Sequence, residues 1–398
     1  MISAQGLGTF LSSWKFVLIF YIIVAIIIYI NRKKFQVEGG FILLYRTQWG
    51  IKFIDKFAED HKEFLKILGY VAIGVGFLGM ILICGLLIKG LYELIFVPLA
   101  PPTLSLVIPG VQIPGSPIFV PFWYGIIALF IVIVVHEFGH GIIAKSHGLK
   151  IKNTGFGFFG PLPLAFVEPD EKQVVKKESV VQQSIFAAGP FFNGLLVLVV
   201  LVISLLIINP LIATMVTSQG VEFGTIQQGY PAQQYGVEKN VAYTSVNGNS
   251  VTDLNQFITA VSCVRPNDTL VLGNENKTVS LVTAASPTDK SKGYIGVSGI
   301  STNYVLKSQV WWYKGIYYVL FVIANLLEWI ATLSLGIGLA NLLPLGPVDG
   351  GRMLHKAAID INGKNKGIKI WTMISIITVI TMIILIFIPI IKHVLFKV

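Results

Sequence analysis

Residues 136 to 140 read His-Glu-Phe-Gly-His and close an uninterrupted apolar run from Ile126 to Val135. On a helix, side chains four positions apart share a face, so His136 and His140 can offer two imidazoles to one metal ion. Glu137 stands one step round the helix, placed to take a proton from water rather than to ligate. An ionisable group near a bilayer centre costs about 2.5–3.5 kcal/mol on insertion scales, so such groups mark function by default. Two satisfied core histidines would leave the Glu137 carboxylate buried without a partner, which is expensive.

The elements that must hold these groups are membrane spans. The chain has 398 residues, of which 54% are hydrophobic and only 13% charged, with a mean hydropathy of +0.75. This composition excludes a soluble enzyme and indicates a polytopic α-helical membrane protein. Six segments have spanning length: about Lys15–Ile30, Ile67–Ile88, Phe122–Ile143, Ser184–Ile208, a stretch within Tyr313–Leu345, and Ile370–Ile391. The fifth exceeds what a bilayer needs. Its Trp311-Trp312-Tyr313 start and internal Glu328 suggest an interfacial lead-in over Val310–Leu327. The first segment has no basic region before it and Arg32-Lys33-Lys34 after it, so it reads as a retained helix rather than a cleaved signal. Lys and Arg gather in the loops after spans one, three and five, which assigns those loops to the cytoplasm and the amino end to the outside. The net charge of +10 is therefore a topology signal, and its dispersal over loops argues against a nucleic-acid partner. Cys84 and Cys263 provide neither a disulfide framework nor a cysteine metal site.

Domain organisation follows. Residues 1–121 carry spans one and two, and 122–214 carry spans three and four. Residues 215–302 form a small α+β domain inserted between spans four and five. Residues 303–352 hold the interfacial segment and span five, and 353–398 the last loop and span six. Within the insertion, Val241–Val246, Asn247-Gly248 and Asn249–Val251 read as strand, tight turn and strand. Thr252–Val264 has helical spacing, and Thr269–Leu272 and Thr278–Thr283 are further strands. Glycosylation sequons start at Asn267 and Asn276, in keeping with an outside location. The loop Lys150–Phe166 is too apolar for a solvated loop and too rich in Gly and Pro for a helix. Such backbone lies at membrane depth only against protein or a wet cavity, so a re-entrant hairpin beside the site is expected at about 150–166.

Two histidines need a third protein ligand with one position left open. The fixed-offset third histidine of soluble His-Glu-x-x-His enzymes is absent, because Ile143 and Ser146 occupy the positions concerned. Glu168, Asp170 and Glu171 sit beside Pro169 among loop residues, and His147 falls just past the span. The better candidate is Asp349, at the inner end of span five, where Pro344, Gly346 and Pro347 break the helix and free backbone to line a cavity.

His-Glu-x-x-His in one span with Asn341-x-x-Pro344-x-x-x-x-Asp349-Gly350 in a later one resembles the site-2 protease family of intramembrane zinc metalloproteases. Gly189-Pro190-Phe191-Phe192-Asn193 is similar to a further element of that family. The inserted domain resembles a PDZ domain through Tyr230-Pro231-Ala232, Val246-Asn247-Gly248 and Gly293–Val297, departing from the usual pattern at Asn240-Val241. The motif resemblance covers about Phe122–Arg352; spans one, two and six are extra to it. It implies His136, His140 and Asp349 as ligands of one catalytic Zn2+, Glu137 as general base, and Asn341 on the oxyanion or the substrate backbone. The implied activity is hydrolysis of peptide bonds in or near transmembrane segments of single-span membrane proteins at the cell membrane, with the active site towards the cytoplasm. Asn193 would brace the substrate or link helices, and Asn153, Gly155 and Gly157 in the hairpin would hold an unwound substrate strand. The external domain would filter substrates by size. A metal-ion transporter would instead show a polar pathway through several spans, and an inactive scaffold would not need all four of His136, Glu137, His140 and Asp349.

Overall fold

The computed structural model describes residues 14–38, 42–97, 102–114, 116, 118–160, 162–274, 277–287 and 289–396. These fall into two compact units: residues 1–206 with 322–398, and residues Ile207–Phe321.

In the first unit, α1 (Trp14–Ile30) precedes strands β1 (Phe35–Glu38) and β2 (Ile42–Thr47). A short helix α2 (Ile51–Asp60) and the long α3 (Lys62–Phe96) follow, then α4 (Phe122–Ser146), β3 (Ile151–Phe159), β4 (Leu162–Pro169) and α5 (Ser179–Ile203). Among the described residues, five helices are long and apolar enough to cross a bilayer: Lys62–Phe96, Phe122–Ser146, Ser179–Met215, Trp311–Asn341 and Lys364–Lys392. The protein is thus a mostly helical polytopic membrane protein. Helix α1, at 17 residues, is shorter than these five.

Small residues let the spans approach. On α3, Gly69, Ala72, Gly76, Met80, Ile83 and Leu87 form one buried stripe. A β-carbon on Gly76 would meet the Met353 methyl at 2.8 Å, and one on Gly69 would meet Ile143 and Ser184 at 3.2 Å. With almost no hydrophobic drive between helices in lipid, close backbone approach through such residues carries the association. The core behind the stripe contains Ile142, Ile143, Ala187, Ala188, Leu342 and Met353.

The apolar hairpin is β3 with β4, turned through Gly160 at φ +55. It does not stand alone. An antiparallel sheet of order β1-β2-β3-β4 joins it to the segment before α2, with Leu44 opposite Gly157 and Arg46 opposite Gly155. This pairing crosses more than 100 residues of sequence and gives β3 a partner on each side.

In the second unit, β5 (Val216–Ile226) leads to β6 (Ser245–Val246), β7 (Asn249–Ser250), α6 (Leu254–Val261), β8 (Thr269–Gly273) and β9 (Thr278–Val282). Strand β10 (Val297–Leu306) then returns to pair with β5 along its length. Asn247 and Gly248 both have positive φ, 51° and 81°, the tight turn that an Asn-Gly pair favours. Val221, Phe223, Tyr243, Val246, Phe257 and Leu272 form its core. Asn267 sits in a turn with φ 70°; Asn276 lies outside the described residues.

Span five, α7 (Trp311–Asn341), runs unbroken for 31 residues, about 46 Å at 1.5 Å per residue. The expected interfacial lead-in is therefore continuous with the span and not a separate element. Helix α8 (Asp349–Asn362) follows, then α9 (Lys364–Phe396).

Candidate metal centre

Helix α4 supplies His136 and His140, and the first turn of α8 supplies Asp349. A carboxylate at a helix amino end faces unsatisfied N–H groups, which favours its negative charge. Glycine brings that turn home. A β-carbon on Gly350 would strike the Leu342 carbonyl oxygen, and one on Gly351 the Leu345 carbonyl oxygen. The broken stretch after α7 can therefore fold back against α8 only over these two residues.

The ligand atoms converge. Asp349 Oδ2 lies 3.1 Å from His136 Nε2 and 3.4 Å from His140 Nε2, and the two Nε2 atoms are 3.2 Å apart. Tetrahedral coordination with bonds of about 2.0–2.1 Å places ligand atoms about 3.3 Å from one another, so the triangle has the size of one face of such a site. Asp349 Oδ2 is buried without a hydrogen-bond donor, a state that a bound cation relieves. Two imidazole nitrogens and one carboxylate oxygen are also a donor set that leaves a fourth position open. Burial by itself would push the Asp349 carboxyl up; the His140 and His136 imidazoles more than reverse this and hold it well below the usual carboxylate range.

Outer contacts fix the rings. His140 Nδ1 is 2.7 Å from the Ile185 carbonyl oxygen, which can only accept, so Nδ1 carries the proton and Nε2 presents its lone pair inward. Asn193, fully buried, places its amide 3.2 Å from His136 Nδ1, while the Ser334 hydroxyl donates to its backbone carbonyl. Asn193 Oδ1 is buried without a donor. Turning the amide over lets Oδ1 accept from Nδ1–H, the arrangement a His136 bound through Nε2 requires. Loss of an outer partner of this kind typically costs 10–100-fold in metal affinity. Asn193→Ala should therefore weaken zinc binding by about that factor, read by competition with a chromophoric chelator, and Asn193→Asp should restore it. Equal affinity in Asn193→Ala and wild type would remove this role.

Gly189 is the clearance residue. A β-carbon there would land on Nε2 of both His140 and His136, so α5 can pass the ligands only with glycine at this point. The Gly-Pro-x-x-Asn element pointed to Asn193, but only as a brace for the substrate or a link between helices.

Glu137 is the next residue along α4 after His136. Its Oε2 accepts from the Val167 N–H of β4 at 3.2 Å, and it lines a cavity of about 610 Å3 between α2, α4 and the hairpin. The alternative ligands are engaged elsewhere. Glu168 pairs with Arg46 and accepts from Asn153 Nδ2, and Asp170 pairs with Lys152. His147 faces Ser184 across 3.3 Å, and burial, with Lys66 and Lys177, pushes its pKa down.

One expectation changes. Gly155 and Gly157 lie on β3 where it pairs with both β2 and β4, so they are not an open edge, and Asn153 pairs with Glu168 of β4; the terminal strands of this sheet are β1 and β4. A β-carbon on Gly155 or Gly157 would meet the carbonyl oxygens of Tyr45 or Leu43, so these glycines serve the sheet. Asn341 ends α7 with its Nδ2 donating 3.1 Å to the Ile337 carbonyl of its own helix.

Comparison with known proteins agrees with this centre. An uncharacterized protein of Methanocaldococcus jannaschii is 30% identical over 347 residues, 84% of this chain and 83% of its own. A provisionally named zinc metalloprotease of Staphylococcus aureus is 24% identical over 261 residues, 53% of this chain and 58% of its own. The zinc metalloprotease RasP of Geobacillus kaustophilus is 38% identical over 84 residues, 21% of this chain and 17% of its own. The model described as peptidase family M50 matches residues 124–385, a range that includes His136, Glu137, His140 and Asp349. The chain belongs to peptidase family M50 and is a peptidase.

Proposed function

We propose that the chain is an intramembrane zinc metalloendopeptidase, with His136, His140 and Asp349 as the ligands and Glu137 as the general base. The observation that carries this reading is the triangle of three ligand atoms with a buried, otherwise unpartnered Asp349 oxygen. Zinc held there supplies Lewis-acid polarisation of the scissile carbonyl and draws the pKa of water towards about 7. The residues supply the rest. Glu137, steadied by the Val167 N–H, takes the proton from the attacking water and delivers it to the departing amine. One N–H of the Asn341 amide is held by Ile337, and the other would serve the developing oxyanion. Asn193 and Ile185 hold the imidazoles in the tautomer that ligation needs.

The substrates in this reading are single-span membrane proteins. A transmembrane helix hides its carbonyls in its own hydrogen bonds, so a segment must unwind before hydrolysis. The unpaired edge of β4 can accept such a segment as a fifth strand. The spread of Lys and Arg over loops assigns the centre to the cytoplasmic side and the second unit to the outside of a cell membrane. The test is cleavage of a panel of single-span substrates in detergent, comparing wild type with Glu137→Gln, with and without a chelator; uptake of metal into vesicles by Glu137→Gln protein would favour a transporter instead.

The second unit is read as a PDZ-like filter that admits substrates already trimmed outside. Its termini adjoin, with Val216 opposite Leu306 and Lys307 N–H donating to the Met215 carbonyl at 3.0 Å, so residues 216–306 can be replaced by a short linker without strain. That deletion should leave cleavage of a short substrate within about twofold of wild type or higher, and raise cleavage of one with a bulky external domain by about tenfold or more, a coupling of 1.4 kcal/mol. Loss of cleavage of both would end the filter reading.

A further inference from the structure

The segment that precedes α3 builds one wall of the cavity on which Glu137 opens, although it lies outside residues 124–385 that match the family. Trp49 and Phe53 form that wall. The facing walls come from α4, with Val134 and Phe138, and from the hairpin, with Phe156 and Phe166. Glu137 and Lys52 are the ionisable groups among its lining residues. Trp49 is 75% exposed and Phe53 62% exposed, so two large aromatic faces stand open at the rim beside the general base.

Their placement is built. Gly50, at φ +84, makes the turn from β2 into α2, a conformation that side-chain-bearing residues resist. Gln48 Nε2 donates to the Lys152 carbonyl and to Asn153 Oδ1 at 2.9 and 3.0 Å, and Thr154 Oγ1 donates to the Trp49 carbonyl at 2.5 Å. The Trp49 ring lies 6.0 Å from Phe156, and Phe53 stacks 5.7 Å from Phe138. Asp55 pairs with Lys145 at 2.9 Å and pins α2 to α4.

We propose that this cavity is a side-chain subsite for a large apolar residue next to the scissile bond of an extended substrate segment, with Trp49 and Phe53 as its specificity-determining residues. The inference rests on the peptidase reading and adds the substrate preference. The occupant follows from three features: a volume of about 610 Å3, which is within the range of ligand pockets, an aromatic lining, and a shared wall with Glu137 and the unpaired edge of β4. Truncating aromatic walls removes apolar contact that only a large side chain makes, an effect of about 10- to 100-fold for such pockets.

The test uses two single-span substrates that differ only in the residues flanking the cleaved bond, Phe or Ala. Wild type should prefer the Phe substrate. Trp49→Ala/Phe53→Ala should lower kcat/KM for it about 10- to 100-fold and change the Ala substrate less than about threefold. An equal fall for both, or an unchanged preference, overturns the subsite. A second measurement does not need turnover. A photo-crosslinking residue at position 53 in Glu137→Gln protein should capture the Phe substrate, whereas one at Phe64, an exposed residue of α3, should not; no capture at 53, or equal capture at both, overturns the proposal. Capture at 53 with no cleavage by wild type would sustain the subsite and defeat the peptidase reading, so the two failures remain distinct.

Discussion

Glu137→Gln protein binds zinc at wild-type stoichiometry and cleaves its substrates at least 10²- to 10⁴-fold more slowly, the span of a lost general acid–base group. The substitution is nearly isosteric. The amide oxygen can still accept from Val167 N–H, so the hairpin keeps its contact with α4. What disappears is the group that takes the proton from water and returns it to the leaving nitrogen. The ligands do not include Glu137, so metal content measured by plasma emission should stay at about one ion per chain, as a single centre requires. Residual activity above one-tenth of wild type would assign the base elsewhere, and loss of zinc would make Glu137 part of the metal site.

Gly189→Ala should abolish zinc binding and also lower the stability of the apo protein, because the added methyl overlaps two buried imidazoles. An alanine methyl would occupy the space against both Nε2 atoms, where the ion must sit. Elsewhere in a helix, replacing Gly by Ala gains roughly 0.5–1 kcal/mol; here the overlap with both rings reverses the sign, so thermal unfolding of the chelator-treated protein should move downwards. Zinc content should fall from about one to below about 0.1 per chain, and cleavage with it. A helix that merely needed close packing at Gly189 would show lower stability with zinc retained. Full zinc occupancy in Gly189→Ala would refute the assignment of the space between the imidazoles to the ion.

Much of the centre was legible from local pattern. A spacing of four puts His136 and His140 on one face whatever surrounds them, because helix periodicity is a property of the backbone. Asn247-Gly248 announced its turn in the same way, since few residues accept two successive positive φ values. Asp349 was recognisable from the Pro and Gly residues that break the chain before it. The hidden parts are those in which one segment depends on another far along the chain. Ile42–Thr47 pairs with β3 more than 100 residues further on, and Phe35–Glu38 pairs in turn with that strand, partnerships that no local window of sequence contains. The β2–β3 pairing, together with β4, occupies both sides of Gly155 and Gly157 and leaves β1 and β4 as the terminal strands.

Residue types and spacing alone determined that this chain crosses a membrane several times, carries two imidazoles and a carboxylate suited to a divalent ion, and places a second carboxylate beside them. Hydropathy and helix geometry are additive and local, so they survive in a linear string. Tertiary structure decided that Asn193 faces His136, that Gly189 leaves room for the ion, that Val167 steadies Glu137, and that Trp49 and Phe53 wall the cavity. Those contacts join segments from α2, α4, α5 and the hairpin, and their distances exist only once the chain has packed.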